Sequence, residues 1–131
     1  MALAWALPDE RSEDAERFMK QAAHDPSRVI WVPALWWYEI ANALTNARRR
    51  KRLTEADVAR LIELYGRLPL QTDASLGGDA LWRQQALAAE HGLSAYDAAY
   101  LELAQRNAAG LASLDARLCA AARQAGLTSF I

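Results

Sequence analysis

Residues 91–104 read HGLSAYDAAYLELA, and the fold turns on how this stretch is read. Gly92 suits the end of one helix and Ser94 the start of the next. Ala95, Ala98, Ala99, Leu101, Leu103 and Ala104 make the second helix, AYDAAYLELAQRN (95–107), largely apolar. Asp97 interrupts it. An ionised carboxylate in such company needs a donor, a helix start or a cation.

Working outward, helical and strand-like pieces alternate. SLGGDALWRQQALAAEHG (75–92) is a helix closed by Gly92, and GLASLD (110–115) is a strand. ARLCAAARQAG (116–126) is a helix, and LTSFI (127–131) a last strand. Upstream, ERSEDAERFMKQAAH (10–24) sets Ala15, Phe18, Met19 and Ala22 near helical spacing, with acids in its first turn as the helix dipole prefers. RVIWVP (28–33) is a short β-branched run closed by proline, a buried strand. ALWWYEIANALTNARRRKR (34–52) is a long helix ending in basic residues. LTEADVARLIELYGRL (53–68) opens on Thr54 as an N-cap, and PLQTD (69–73) is a short strand. ALAWAL (2–7) reads as a short helix stopped by Pro8.

Strands separated by helices predict an α/β sandwich with a mostly parallel sheet. Right-handed crossovers then place helix starts at the carboxyl edge of that sheet, where such folds bind ligands. A chain of 131 residues, 53% hydrophobic and 24% charged, fits one globular domain over 1–131. A net charge of −1 gives no global basic field, so any nucleic acid would be held by a local patch or through metal ions. The single cysteine, Cys119, excludes an internal disulfide and suits the reducing cytoplasm; it reads as a small core residue. No run reaches the ~18 apolar residues of a membrane span, and the N-terminus lacks the features of a signal peptide.

Three acids share one predicted edge. Glu39 lies early in the helix after RVIWV, with Leu35, Trp36, Asn42 and Ala43 as its helical neighbours, and is expected near the packed face. Asp97 lies in the first turn of its helix, and Asp115 follows the strand GLASL directly. Clustered carboxylates repel unless a cation neutralises them. Oxygen ligands suit Mg2+ or Mn2+, and the absence of a His/Cys pair argues against zinc. Plainer roles stand beside this one. Ser94-Ala-Tyr-Asp97 has capping-box spacing, Asp115 suits an N-cap, and Glu39 suits an arginine pair. The RRRKR run (48–52) suits either an RNA backbone or the helix's own C-terminal dipole. Trp36 and Trp37 cannot both face inward, so one is available to a partner surface.

The chain resembles the PIN-domain ribonucleases, in particular the VapC-type toxins of toxin–antitoxin pairs. The likeness rests on AWALPDE (4–10), VPALWWYEIANAL (32–44), RRRKRLTEADV (48–58), GLSAYDAAYLELA (92–104) and LASLDARL (111–118), in that order. It implies a PIN-like three-layer sandwich and an acidic site that binds Mg2+ or Mn2+ and cuts RNA. It implies Glu39, Asp97 and Asp115 as catalytic and metal-binding residues, with Ser113 in support. It also implies a VapB-type antitoxin as partner, a homodimer and no membrane. The family pattern opens with a strand ending in a further aspartate ahead of the segment matching ALAWALPDE, and this chain carries no counterpart. Hence two expectations: a toxin-type endoribonuclease, or a catalytically impaired PIN-like module that binds antitoxin or RNA without cleavage.

Overall fold

The structure, a computed structural model, describes residues 12–25 and 27–130; the expected helix at 2–7 lies outside them. In order, the described elements are α1 (Glu13–His24), β1 (Ile30–Pro33), α2 (Leu35–Arg49), α3 (Glu55–Gly66), β2 (Leu70–Asp73), α4 (Gly78–His91), α5 (Ala95–Arg106) and α6 (Ala116–Gln124). β1 and β2 form a two-stranded sheet. The expected strands over 110–115 and 127–131 shrink to one parallel bridge between Leu111 and Ser129. Leu111 donates its N–H to the Thr128 carbonyl (2.8 Å), and Phe130 donates to that of Leu111 (2.9 Å). Asp115 caps α6 and Ser113 turns back on it, so the chain leaves extended geometry after a single pairing.

The chain forms two compact units. One contains α1, α2 and α3. Its helix starts follow the sequence. Ser12 accepts from the N–H of Ala15, and Thr54 and Asp57 form a reciprocal capping box at α3. These caps satisfy N–H groups that have no partner within the helix. Trp36, Ile40, Leu44 and Ala47 recur at helical spacing and are the buried side of α2. The Trp36 ring meets Tyr65 of α3 edge to face, with centroids 5.7 Å apart. Burial pushes the Tyr65 hydroxyl up to about 12. Trp37 turns outward, 40% exposed, and stands edge-on against Trp36.

The other unit contains α4, α5, α6, Trp31–Pro33 and the chain from Thr72 onward. Its core joins Leu101 and Ala104 of α5, Leu111, and Leu118, Ala121 and Ala122 of α6. Alanines where these helices pack let them approach closely. Cys119 is buried in the same region and donates to the Ser113 carbonyl, as a core residue should. Beside this core lies an ion network that the sequence reading did not single out. Glu102, 4% exposed, accepts from Arg83 (2.6 Å) and Arg106 (3.0 Å). Arg106 also grips Asp73 at the end of β2 with both terminal nitrogens, at 3.2 and 2.7 Å. Two acids and two arginines leave the network neutral.

Burial alone would raise the Glu102 carboxyl, but hydrogen bonds from Arg106 and Arg83 outweigh it and hold the group below its usual range. Asp73 is lowered in the same way by Arg106 and Ser75. With folded pKa values below the ordinary 4.5 and 3.8, both groups stabilise the fold fully above about pH 5, and the contribution drains as pH falls through the depressed values. Glu102→Gln should lower unfolding free energy by about 2 kcal/mol at pH 7, less than for a fully buried pair because both arginines reach solvent. Urea titrations between pH 3 and 7 should show wild type and variant converging in acid.

Candidate active site

Asp97 and Asp115 stand at the starts of neighbouring helices in one unit. α4 ends on Gly92 in the left-handed region (φ 62°), a conformation glycine adopts without strain. Two residues later Ser94 caps α5. Its Oγ accepts from the Asp97 N–H (3.0 Å) and donates its hydroxyl to Asp97 Oδ2 (2.7 Å). Asp115 caps α6, and its Oδ1 accepts from the N–H groups of Arg117 (2.8 Å) and Leu118 (2.9 Å). Ser113 Oγ accepts from the Asp115 N–H (3.0 Å), so it steadies the backbone beneath that carboxylate. The Arg117 guanidinium donates to the Gly92 carbonyl (2.6 Å) and ties the start of α6 to the turn before α5.

Each aspartate therefore serves a helix with one oxygen. Oδ1 of Asp97 and Oδ2 of Asp115 have no hydrogen-bond partner among the described residues. Asp97 is half-buried and Asp115 exposed, so both reach solvent. The capping and site readings of these residues are thus compatible, one oxygen for each. The positive end of each helix offsets part of the negative charge of the aspartate at its start. As a donor set this suits a hard ion: Mg2+ is usually held by one or two carboxylates and keeps several waters.

Glu39 departs from expectation. Its side chain is exposed on α2, not near the packed face. The buried stripe centres on Trp36, Ile40, Leu44 and Ala47, and Glu39 falls about a quarter-turn off its axis. Among the described residues, no group of three or more His, Cys, Asp or Glu side chains is placed to hold a metal ion. What the sequence reading missed is Glu102, five residues after Asp97. Its i,i+4 spacing to Arg106 was the available signal.

α2 and α3 also enclose a cleft of about 310 Å3, lined by Trp37, Ile40, Leu44, Val58, Ile62 and Tyr65, with Arg48 among its walls. Among the described residues no helix is long and apolar enough to cross a membrane.

The class to which this architecture belongs follows from comparison with known proteins. The sequence pattern of the PIN domain matches residues 2–124. The chain belongs to the PIN-domain family, with the α/β fold of that family. A curated relative, Ribonuclease VapC3 of Pyrobaculum aerophilum, is 35% identical over 116 residues, covering 86% of this chain and 82% of that protein. The crystal structure of PAE2754 from the same organism matches with a TM-score of 0.65 at 26% identity, over 88% of this chain and 75% of that one. The chain is thus a homologue of a VapC-type ribonuclease.

The shared duty of each aspartate makes a separable prediction. Asp115→Ala removes the α6 cap and should cost about 1 kcal/mol, whereas Asp115→Asn keeps an acceptor oxygen and should stay within about 0.5 kcal/mol of wild type. Urea unfolding of the two variants measures this, and it shows which one reports on chemistry without disturbing the helix.

Proposed function

We propose that the chain is a toxin-type endoribonuclease that hydrolyses RNA phosphodiester bonds with Mg2+ or Mn2+ and is neutralised by a cognate antitoxin in the cytoplasm. The observation that carries this is the pair Asp97 and Asp115 in a PIN-family chain, each with one oxygen committed to a helix start and the other open. A hard divalent ion supplies charge stabilisation at phosphoryl oxygens. Asp97, held by Ser94, and Asp115, steadied by Ser113, are the side chains assigned to hold it. Their remaining acceptor capacity orients the attacking water and receives its proton. Glu39 is assigned to the same chemistry on the family resemblance rather than on geometry.

The apolar α2–α3 cleft suits the hydrophobic side of an antitoxin segment, and Arg48 in its wall suits an acidic residue on that segment. Leu76, Leu81 and Trp82, all exposed in and just before α4, offer apolar surface to a second copy in the expected homodimer.

A second reading, a PIN-like module that binds antitoxin or RNA without cutting, is favoured by the lack of a three-acid cluster among the described residues. One assay separates the two. Cleavage of single-stranded RNA should require Mg2+ or Mn2+, stop with chelator, and fall at least about 100-fold in Asp97→Asn, the loss of roughly 3 kcal/mol of transition-state stabilisation. RNA or antitoxin binding with no cleavage in saturating metal selects the second reading.

A further inference from the structure

A third of the chain's 15 basic side chains lie in five consecutive positions, 48–52, although the net charge is −1. Neutralising the dipole of α2 does not account for them. The dipole acts within the last helical turn, where Arg48 and Arg49 already stand. Arg50 is the cap, and Lys51 lies beyond the helix with φ 56°. Lys51 donates to the Arg48 carbonyl (2.9 Å) and Arg52 to that of Ala47 (2.9 Å). This is the paired-bond helix ending in which glycine is the usual residue at the left-handed position. Here a lysine occupies it against the steric preference of its Cβ. Arg48, Arg49, Arg50 and Lys51 have no acidic partner among the described residues. Asp57, a nearby acid, is committed to Thr54 and Arg60.

The cations continue a stripe along α2. Tyr38, Asn42, Thr45 and Arg49 follow the i, i+4, i+7, i+11 spacing of one helix face, about 16 Å long, and all are exposed, Tyr38 at 78%. Asn42 accepts from Asn46 through its oxygen (3.3 Å), which leaves its own N–H groups for a ligand. The stripe therefore carries an aromatic platform at one end, amide and hydroxyl groups between, and unpaired cations at the other. Single-stranded nucleic acid is bound by this combination: bases stack on aromatic rings while cations follow the phosphates. An acidic protein segment would use the cations but has no need of the ring.

We propose that this edge of α2, from Tyr38 through Asn42, Thr45 and Arg49 into Arg50 and Lys51, is a track for single-stranded RNA. Tyr38 stacks on a base next to Glu39, and the basic turn holds the backbone. The proposal rests on the ribonuclease reading for its ligand and deepens it by naming how the substrate is gripped.

Binding of a fluorescent, unstructured oligouridine to the full chain carrying Asp97→Asn, titrated across a range of salt, tests it. The triple variant Arg49→Gln, Arg50→Gln, Lys51→Gln should weaken binding about 10- to 100-fold at low salt. It should also flatten the log–log salt dependence by about 2, since each phosphate that is no longer neutralised removes about 0.7 from the slope. Arg49→Lys with Arg50→Lys should keep the slope. Tyr38→Ala should weaken binding about tenfold with the slope unchanged. Thermal melting confirms that each variant is folded. Unchanged affinity and slope in the triple variant overturn the track, as does loss of binding to an acidic peptide while RNA binding persists. Cleavage by the wild-type chain is scored separately. A wild type that cleaves while the slope stays constant refutes the track alone. A wild type that never cleaves while the slope falls refutes the nuclease reading and leaves the track standing.

Discussion

Every helix begins with N–H groups that have no partner within the helix, and in this chain that requirement positions the acids. The starts of α5 and α6 are capped by Ser94 and Asp115, and Asp97 is drawn into the first of these caps by the Ser94 hydroxyl. A carboxylate has two oxygens, so the structural duty consumes one and aims the other. Arg117, on the Gly92 carbonyl, then holds the two helix starts together. The same bonds that finish the helices thus fix one oxygen of each aspartate.

In the same unit, the neutral set Glu102, Arg83, Arg106 and Asp73 joins α4, α5 and the end of β2. A buried carboxylate without partners would be expensive, but this one receives hydrogen bonds from two guanidiniums. Arg106 does what lysine cannot: its planar fork meets Asp73 on two nitrogens while Nε serves Glu102. Removing one partner of such a network leaves an uncompensated charge behind, so its members depend on one another. Here they hold the strand end and the α4–α5 pair in one arrangement.

α2 works on more than one side. Trp36, Ile40, Leu44 and Ala47 are buried, while Trp37 and Ile40 border an apolar cleft with α3. A third side, Tyr38 to Arg49, is polar and ends in unpaired positive charge. The adjacent tryptophans illustrate the division. Trp36 fills the core against Tyr65, and Trp37 packs edge-on to its neighbour while reaching solvent. An apolar cleft and a basic stripe on one helix allow a protein partner and a nucleic acid to meet the same element without sharing all its residues.

Much of this was legible from residues alone, because caps and helical periodicity are local. Thr54, Ser94 and Asp115 each start the helix expected of them, Gly92 ends one, and both four-residue strands lie where β-branched or extended runs indicated. The PIN-like pattern was likewise present in the order of its segments. Tertiary structure decided the rest. The runs at 110–115 and 127–131 have the composition of strands, yet pairing depends on a neighbour's position, and they meet at one bridge. The identities of Glu39's helical neighbours point to a packed position, but exposure depends on where the buried stripe centres, and that is set by packing such as Trp36 on Tyr65. The partners of Glu102 include Arg83, 19 residues away, and Asp73 joins through Arg106 across 33. Short-range hydrogen bonding writes itself into adjacent residues, whereas ion pairs and strand pairing between distant segments exist only once the chain has folded.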